Sequence, residues 1–427
     1  MRLLSAILIA FLTASMALCS DSFDSELRRG LTALKNNDLP TARQSLELAS
    51  KLRPGSAPAW VALAQVYLRS NERQKAGDAA RRAERLAPGE PVIQHALAMI
   101  YSEQGEFARA AQWERRFALS RPSDADAAAR CAELSMQAGD PAQTIAWSAT
   151  ALRLRDSAEI HHLLGAAYAA SKRPDDAIPE LRKAVELKPS SETFVFDLGR
   201  LQLERGDFAG ASATFGDARR RFPASAQMQL AYGVAAYGQR QFDEAIDAFL
   251  RVVRIDPAVE QPYVFLGRIL DNAGGRLPEV TQALAAHHDM NPQSAQASVL
   301  YAQALVAQLD PQGSSPLAEQ AFALTQAALR QRPDNAEAHY LAGCLLERKQ
   351  DYPSALAELR KAVAANPGQA AAHFHLARVY ERLGRKEEAA RERALHEKLT
   401  SEAEQPDVRG GVDLSVPSSS MGKPAKE

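Results

Sequence analysis

The chain has 427 residues, 46% of them hydrophobic and only 6% aromatic, so its core must be built mainly from Ala and Leu, residues that favour closely packed helices. Lys and Arg number 51 against 52 Asp and Glu, and a net charge of −1 argues against a general nucleic-acid or anionic-membrane binder, which would carry a basic excess. Besides Cys19 there are only Cys131 and Cys344, too far apart in an extended array to predict a disulfide.

The first twenty residues differ from everything after them. Arg2 supplies a positive start, Leu3 to Leu18 form an apolar run, and small residues lead into Asp21. This is the layout of a secretory signal peptide over residues 1–20, and it predicts export to the periplasm or beyond the cell. Cys19 adds an alternative, a lipid-modified cysteine and a membrane-anchored lipoprotein, although the bulky Leu18 before it departs from the usual small residue. No other uninterrupted apolar run reaches the 18 or so residues of a membrane span, so none is expected in the mature chain.

From Phe23 onward the sequence repeats. Pro54, Pro88 and Pro122 stand 34 residues apart, and between them fall Trp60, Leu63, Ala64, Tyr67, Ala76, Ala80 and Ala83. A fixed period in the range of 20–50 residues is the mark of a solenoid. The pattern resembles the tetratricopeptide repeat (TPR), and the resemblance implies an all-α, right-handed α-solenoid of stacked helix–turn–helix units. Eleven units are predicted over residues 23–400. In each, helix A places apolar residues three and four apart. A small residue (Gly165, Gly199, Gly233, Gly267 or Gly343) lets helix B lie against it. Gly105, Gly139, Gly206, Gly384, Asn37 and Asn71 end helix A where left-handed geometry is needed.

The rhythm breaks in a few places. Unit four is degenerate, with Asp156 where the closing Pro would fall, and Pro179 lies inside helix B of unit five, where a small kink is expected. Unit eight carries one extra residue, placed at Gly274–Gly275. Unit nine carries a surplus over residues 308–316, expected to protrude as a loop. Arg393 in the last unit takes the place of an apolar core residue, as a capping helix requires. Residues 401–427 are rich in Ser, Pro, Gly and charge, which predicts a disordered tail.

No P-loop, G-x-G-x-x-G, G-x-S-x-G, H-E-x-x-H or paired C-x-x-C occurs, so no enzyme, cofactor or metal site is expected. His161, His339 and His373 occupy the place of Trp60 and read as packing substitutes. The doublets Arg81-Arg82, Arg115-Arg116, Arg182-Lys183 and Arg360-Lys361 read as a solvated outer face rather than a nucleic-acid stripe, with cations near helix C-termini.

The resemblance also implies a concave groove lined by helix A, with contacts from the second, fifth, ninth, twelfth and thirteenth unit positions. Carried over residue by residue, this places Arg69, His95, Met99, Phe196, Arg200, Tyr237, Arg268, Tyr340, Arg348, Phe374, Arg378 and Arg382 at a partner-binding face. Aromatic residues and Arg are the types that anchor interfaces. The Lys-and-Asn set with which chaperone-binding family members hold a C-terminal carboxylate is missing. The expected function is that of an exported, non-enzymatic scaffold binding a protein or peptide segment. The alternative is a structural part of a cell-envelope assembly such as polysaccharide export.

Overall fold

Helix starts are set by side chains that accept a backbone N–H the helix cannot itself satisfy. Ser56, Asp124, Ser225, Ser294 and Asn335 do this for A helices, and Asp38, Asp140, Asp207 and Asp351 for B helices. The computed structural model describes residues 22–86, 89–309 and 316–402. Among these residues there are 22 α-helices, consecutively paired, and no strand. The first pair is Ser22–Lys35 with Leu39–Leu52 and the last is Ala370–Arg382 with Lys386–Glu402. Eleven repeats result. The signal-peptide segment, Cys19, Pro88, the centre of the 308–316 insertion and residues 403–427 lie outside the described residues.

The chain forms two compact units, one ending at Asp197 and one beginning at Leu198. In both, the close approach of helices A and B depends on a residue without a side chain. A Cβ on Gly30 or Gly165 would stand 2.5 or 2.7 Å from Leu46 or Leu181. On Gly199, Gly233 or Gly343 it would stand 2.3, 2.6 or 2.5 Å from Phe215, Phe249 or Leu359. Each partner lies sixteen residues on and is fully or almost fully buried. Gly267 departs from the expectation, because its near neighbour is Leu300 in the next helix A rather than its own helix B. The cause is the extra residue of repeat eight. There helix A stops at Ile269 and two 3-10 turns, Leu270–Asn272 and Gly274–Arg276, lead into Leu277–Met290. That shifts helix B out of register with Gly267.

The turn after helix A is left-handed at the expected Asn37, Asn71, Gly105, Gly139, Gly206 and Gly384. It is equally so at Lys172, Arg240 and Gln350, residue types that do not announce such a turn. In repeat four the sequence expectation is corrected by one residue. Other A helices begin three residues after the closing Pro, as Ala57 follows Pro54. Helix A of repeat five begins at Ala158, which puts Arg155 rather than Asp156 in that place. Pro179 lies inside a helix that runs unbroken from Pro174 to Leu187. The last helix, Lys386–Glu402, buries only Ala389, and its Arg393 pairs with Glu381.

Candidate functional site

The fourth residue of helix A has a structural task that separates it from any binding role. Trp60 Nε1 donates to the Pro54 carbonyl at 2.9 Å, and the Tyr263 hydroxyl donates to the Pro257 carbonyl at 3.1 Å. His339 and His373 make the same contact through Nε2, with the Pro333 and Pro367 carbonyls at 2.8 and 3.0 Å. In each case the acceptor lies six residues back, so the side chain ties helix A to the loop that enters the repeat. His161 Nε2 uses the Asp156 carboxylate at 2.9 Å instead. The Nδ1 atoms of His161, His339 and His373 face Glu180, Glu358 and Glu392 on helix B at 2.5, 2.6 and 2.6 Å. These histidines join a loop to two helices. Among the described residues no group of three or more His, Cys, Asp or Glu is arranged to hold a metal ion.

Several cations of the helix B doublets are occupied by neighbours. Arg81 pairs with Asp78 at 2.7 Å and Lys361 with Glu358 at 2.9 Å, while Arg82 and Arg116 stack on Trp60 and Trp113. Each such pairing removes charge from the outer face.

On the A-helix face of the first unit, Arg69 Nη1 donates to the Leu34 carbonyl at 2.9 Å, closing the end of the preceding A helix. His95 is mostly buried, its Nδ1 2.8 Å from Glu114 and its ring 4.8 Å from Phe117. Met99 and Phe196 are half-buried. In the second unit, Arg200 pairs with Glu204 one turn on. Tyr237 packs edge-on against Phe242 and Phe265, and Arg268 lies exposed over the Phe265 ring at 5.4 Å.

Repeats ten and eleven bring the largest group together. Tyr340 lies 5.7 Å from His375 edge-on, and Phe374, 40% exposed, lies 5.7 Å below the Arg378 guanidinium. Arg348 is half-buried and Arg382 exposed at the end of the same face. Burial first, then the neighbouring Cys344, raises the Tyr340 hydroxyl well above its ordinary range. Burial pushes the Cys344 thiol up to about 12, against an opposing hydrogen bond with Tyr340. This thiol is a packed side chain and not a nucleophile. Amides link the face lengthwise, Glu337 accepting from Gln303 at 2.9 Å and from Gln369 at 2.8 Å.

Two carboxylates with central places in this geometry escaped the sequence reading. Glu114 is fully buried, with Oε2 toward His95 and Oε1 accepting from Arg130 Nε at 2.8 Å. Glu347, 8% exposed, has Oε2 2.7 Å from His375 Nδ1 and Oε1 3.2 Å from Arg378 Nε. Glu114 had a signal in the sequence. It stands sixteen residues after Ala98, in the place that Leu46, Leu181, Phe215, Phe249 and Leu359 hold elsewhere, and a charge at a core place asks for partners.

No helix among the described residues is long and apolar enough to cross a membrane. No curated protein matches the chain. Among solved structures, the chain is similar to the crystal structure of MamA protein, with 20% identity over 39% of this chain and 92% of that one, at a TM-score of 0.37. It is similar to YrrB, described as a TPR protein with an unusual peptide-binding site, with 19% identity over 42% and 93% at 0.36. Yeast Tom70 aligns over 90% of this chain and 95% of its own, with 14% identity at 0.37. Tetratricopeptide repeat profiles match residues 27–91, 158–191, 196–260, 312–368 and 340–395, more than half of the chain, and no enzyme family is indicated. The chain is a member of the tetratricopeptide repeat family.

Proposed function

We propose that this chain is an exported, non-enzymatic scaffold that binds a peptide or protein segment along the face formed by its A helices. The observation that carries the reading is the group on repeats ten and eleven, where the exposed Phe374 ring sits with Tyr340, Arg378 and Arg382. An aromatic ring left in water beside arginines is the composition of an interface anchor. The B helices present cations already engaged by carboxylates or aromatic rings. The test is coprecipitation with the tagged chain from native envelope extracts. A partner recovered with the native chain should be lost with Phe374→Ala combined with Arg382→Glu, and weakened by charge reversal at Arg200 and Arg268. Unchanged recovery with both variants would remove the A-helix face from consideration.

A second reading, a structural part of a cell-envelope assembly such as polysaccharide export, rests on Cys19 at the end of the apolar run from Leu3 to Leu18. Metabolic labelling with a fatty-acid analogue tests it, since a Cys19→Ala chain would lose a label that the native chain carries.

A further inference from the structure

The same arrangement of three side chains occurs once in each compact unit. In the first, Glu114 divides its two oxygens between His95 Nδ1 and Arg130 Nε, both at 2.8 Å. In the second, Glu347 does so between His375 Nδ1 at 2.7 Å and Arg378 Nε at 3.2 Å. The glutamates are 0% and 8% exposed, whereas the arginines keep 33% and 50% of their side chains in solvent. Among the described residues, Nη1 and Nη2 of both arginines form no hydrogen bond. A guanidinium donates five N–H groups in a planar fork. Here the inner Nε is held from within by a buried carboxylate, and the outer edge is left open.

We infer that Arg130 and Arg378 are anion-recognition points, and that the segment bound on the A-helix face is acidic, meeting each arginine with an Asp or Glu side chain. The inference rests on the proposed use of that face and names the class of partner it takes. Three physical features point this way. The outer edge of a guanidinium matches a carboxylate in two parallel N–H···O bonds, which a lysine ammonium cannot reproduce. Ordering a long arginine costs rotamer freedom, and the buried glutamate has fixed it before a ligand arrives. The histidine in turn holds the second oxygen, so the glutamate cannot rotate away. A cluster needed only to bury an ion pair would gain nothing from leaving the arginine's outer nitrogens in water. In repeat three the cluster takes the place where other repeats pack Leu or Phe, an apolar filling that would serve stability alone at least as well.

The experiment uses the full chain and fluorescein-labelled dodecapeptides of Glu, Gln and Lys, followed by anisotropy at low salt. The Glu peptide should bind and the Gln and Lys peptides should not. Arg378→Gln should weaken the Glu peptide about tenfold, the loss of one charge-assisted contact. Removing Arg130 strands a buried charge and endangers folding. Arg130→Lys is therefore the variant used there, checked by circular dichroism and thermal melting. Arg130→Lys and Arg378→Lys should each weaken binding several-fold although the charge is kept. If both lysine variants bind as tightly as the native chain, charge alone is at work and the guanidinium fork is wrong. If the Glu peptide does not bind, the acidic partner is wrong. In that event the A-helix face still stands if Phe374→Ala with Arg382→Glu abolishes coprecipitation, and falls with it otherwise.

Discussion

Gly199 and Phe215 decide how closely one helix pair can approach, because the Phe215 ring occupies the volume that a Cβ on Gly199 would need, at 2.3 Å. Gly199→Ala should therefore destabilise the chain by about 1–3 kcal/mol, the usual cost of overpacking. Gly199→Ala with Phe215→Leu should recover part of that loss. Urea midpoints with unchanged slopes would measure both. A second residue-scale expectation concerns pH. Lys188, then the backbone N–H of Glu159 itself and Ser157, hold the Glu159 carboxyl down to about 2. A depressed carboxylate adds stability above its unfolded pKa of about 4.3, and that share is lost as pH falls toward 2. The pair is exposed, at 58% and 49%, so the expected contribution is only about 0.5 kcal/mol. Lys188→Met should melt slightly lower than the native chain at pH 6 and match it near pH 2; a gap that persists at pH 2 would assign the effect to something other than this pair. Residues of this kind were unequally legible. Gly165, Gly199, Gly233 and Gly343 could be read because a 34-residue ruler aligns them. Glu347 and His375 could not, because an exposed-looking Glu near a helix end carries no local mark of burial.

At the scale of the element, repeat four shows what a degenerate unit is. Where other repeats set Gly against Leu or Phe, it sets Ala132 against Ser148, both fully buried, and the Ser148 hydroxyl has no hydrogen-bond partner among the described residues. A small gain on helix A and a large loss on helix B leave a thinner, more polar contact. Ser148→Leu alone should destabilise the chain, since the added volume meets the Ala132 methyl. Ser148→Leu with Ala132→Gly should restore the pairing used at Gly165 and Leu181 and raise stability above native by about 1–2 kcal/mol, read from thermal melting. The sequence showed that this repeat was irregular. It did not show that the repeat is one residue short, because the polar Asp156 occupied a plausible place. Helix-ending turns were legible where Gly or Asn fills them and not at Lys172, Arg240 or Gln350, where helix packing imposes the left-handed residue.

At the scale of the whole molecule, the repeat period was written plainly enough in the chain to give the all-α class and the pairing of its helices. The A-helix face is a different case. Its residues follow from their unit positions, but whether a side chain is open to a ligand depends on what the neighbouring repeat does. Arg69 closes an adjacent helix, His95 is locked against Glu114, and Arg268, Phe374 and Arg382 remain exposed. Of these, the exposed group defines the surface on which a partner is expected. The most direct measurement is site-specific photo-crosslinking in intact cells, with a benzophenone amino acid placed at Arg382 on helix A and, for comparison, at the exposed Arg360 on helix B. Binding through the A-helix face predicts a discrete covalent adduct from position 382 and none from position 360. Adducts from position 360 with none from position 382 would contradict it.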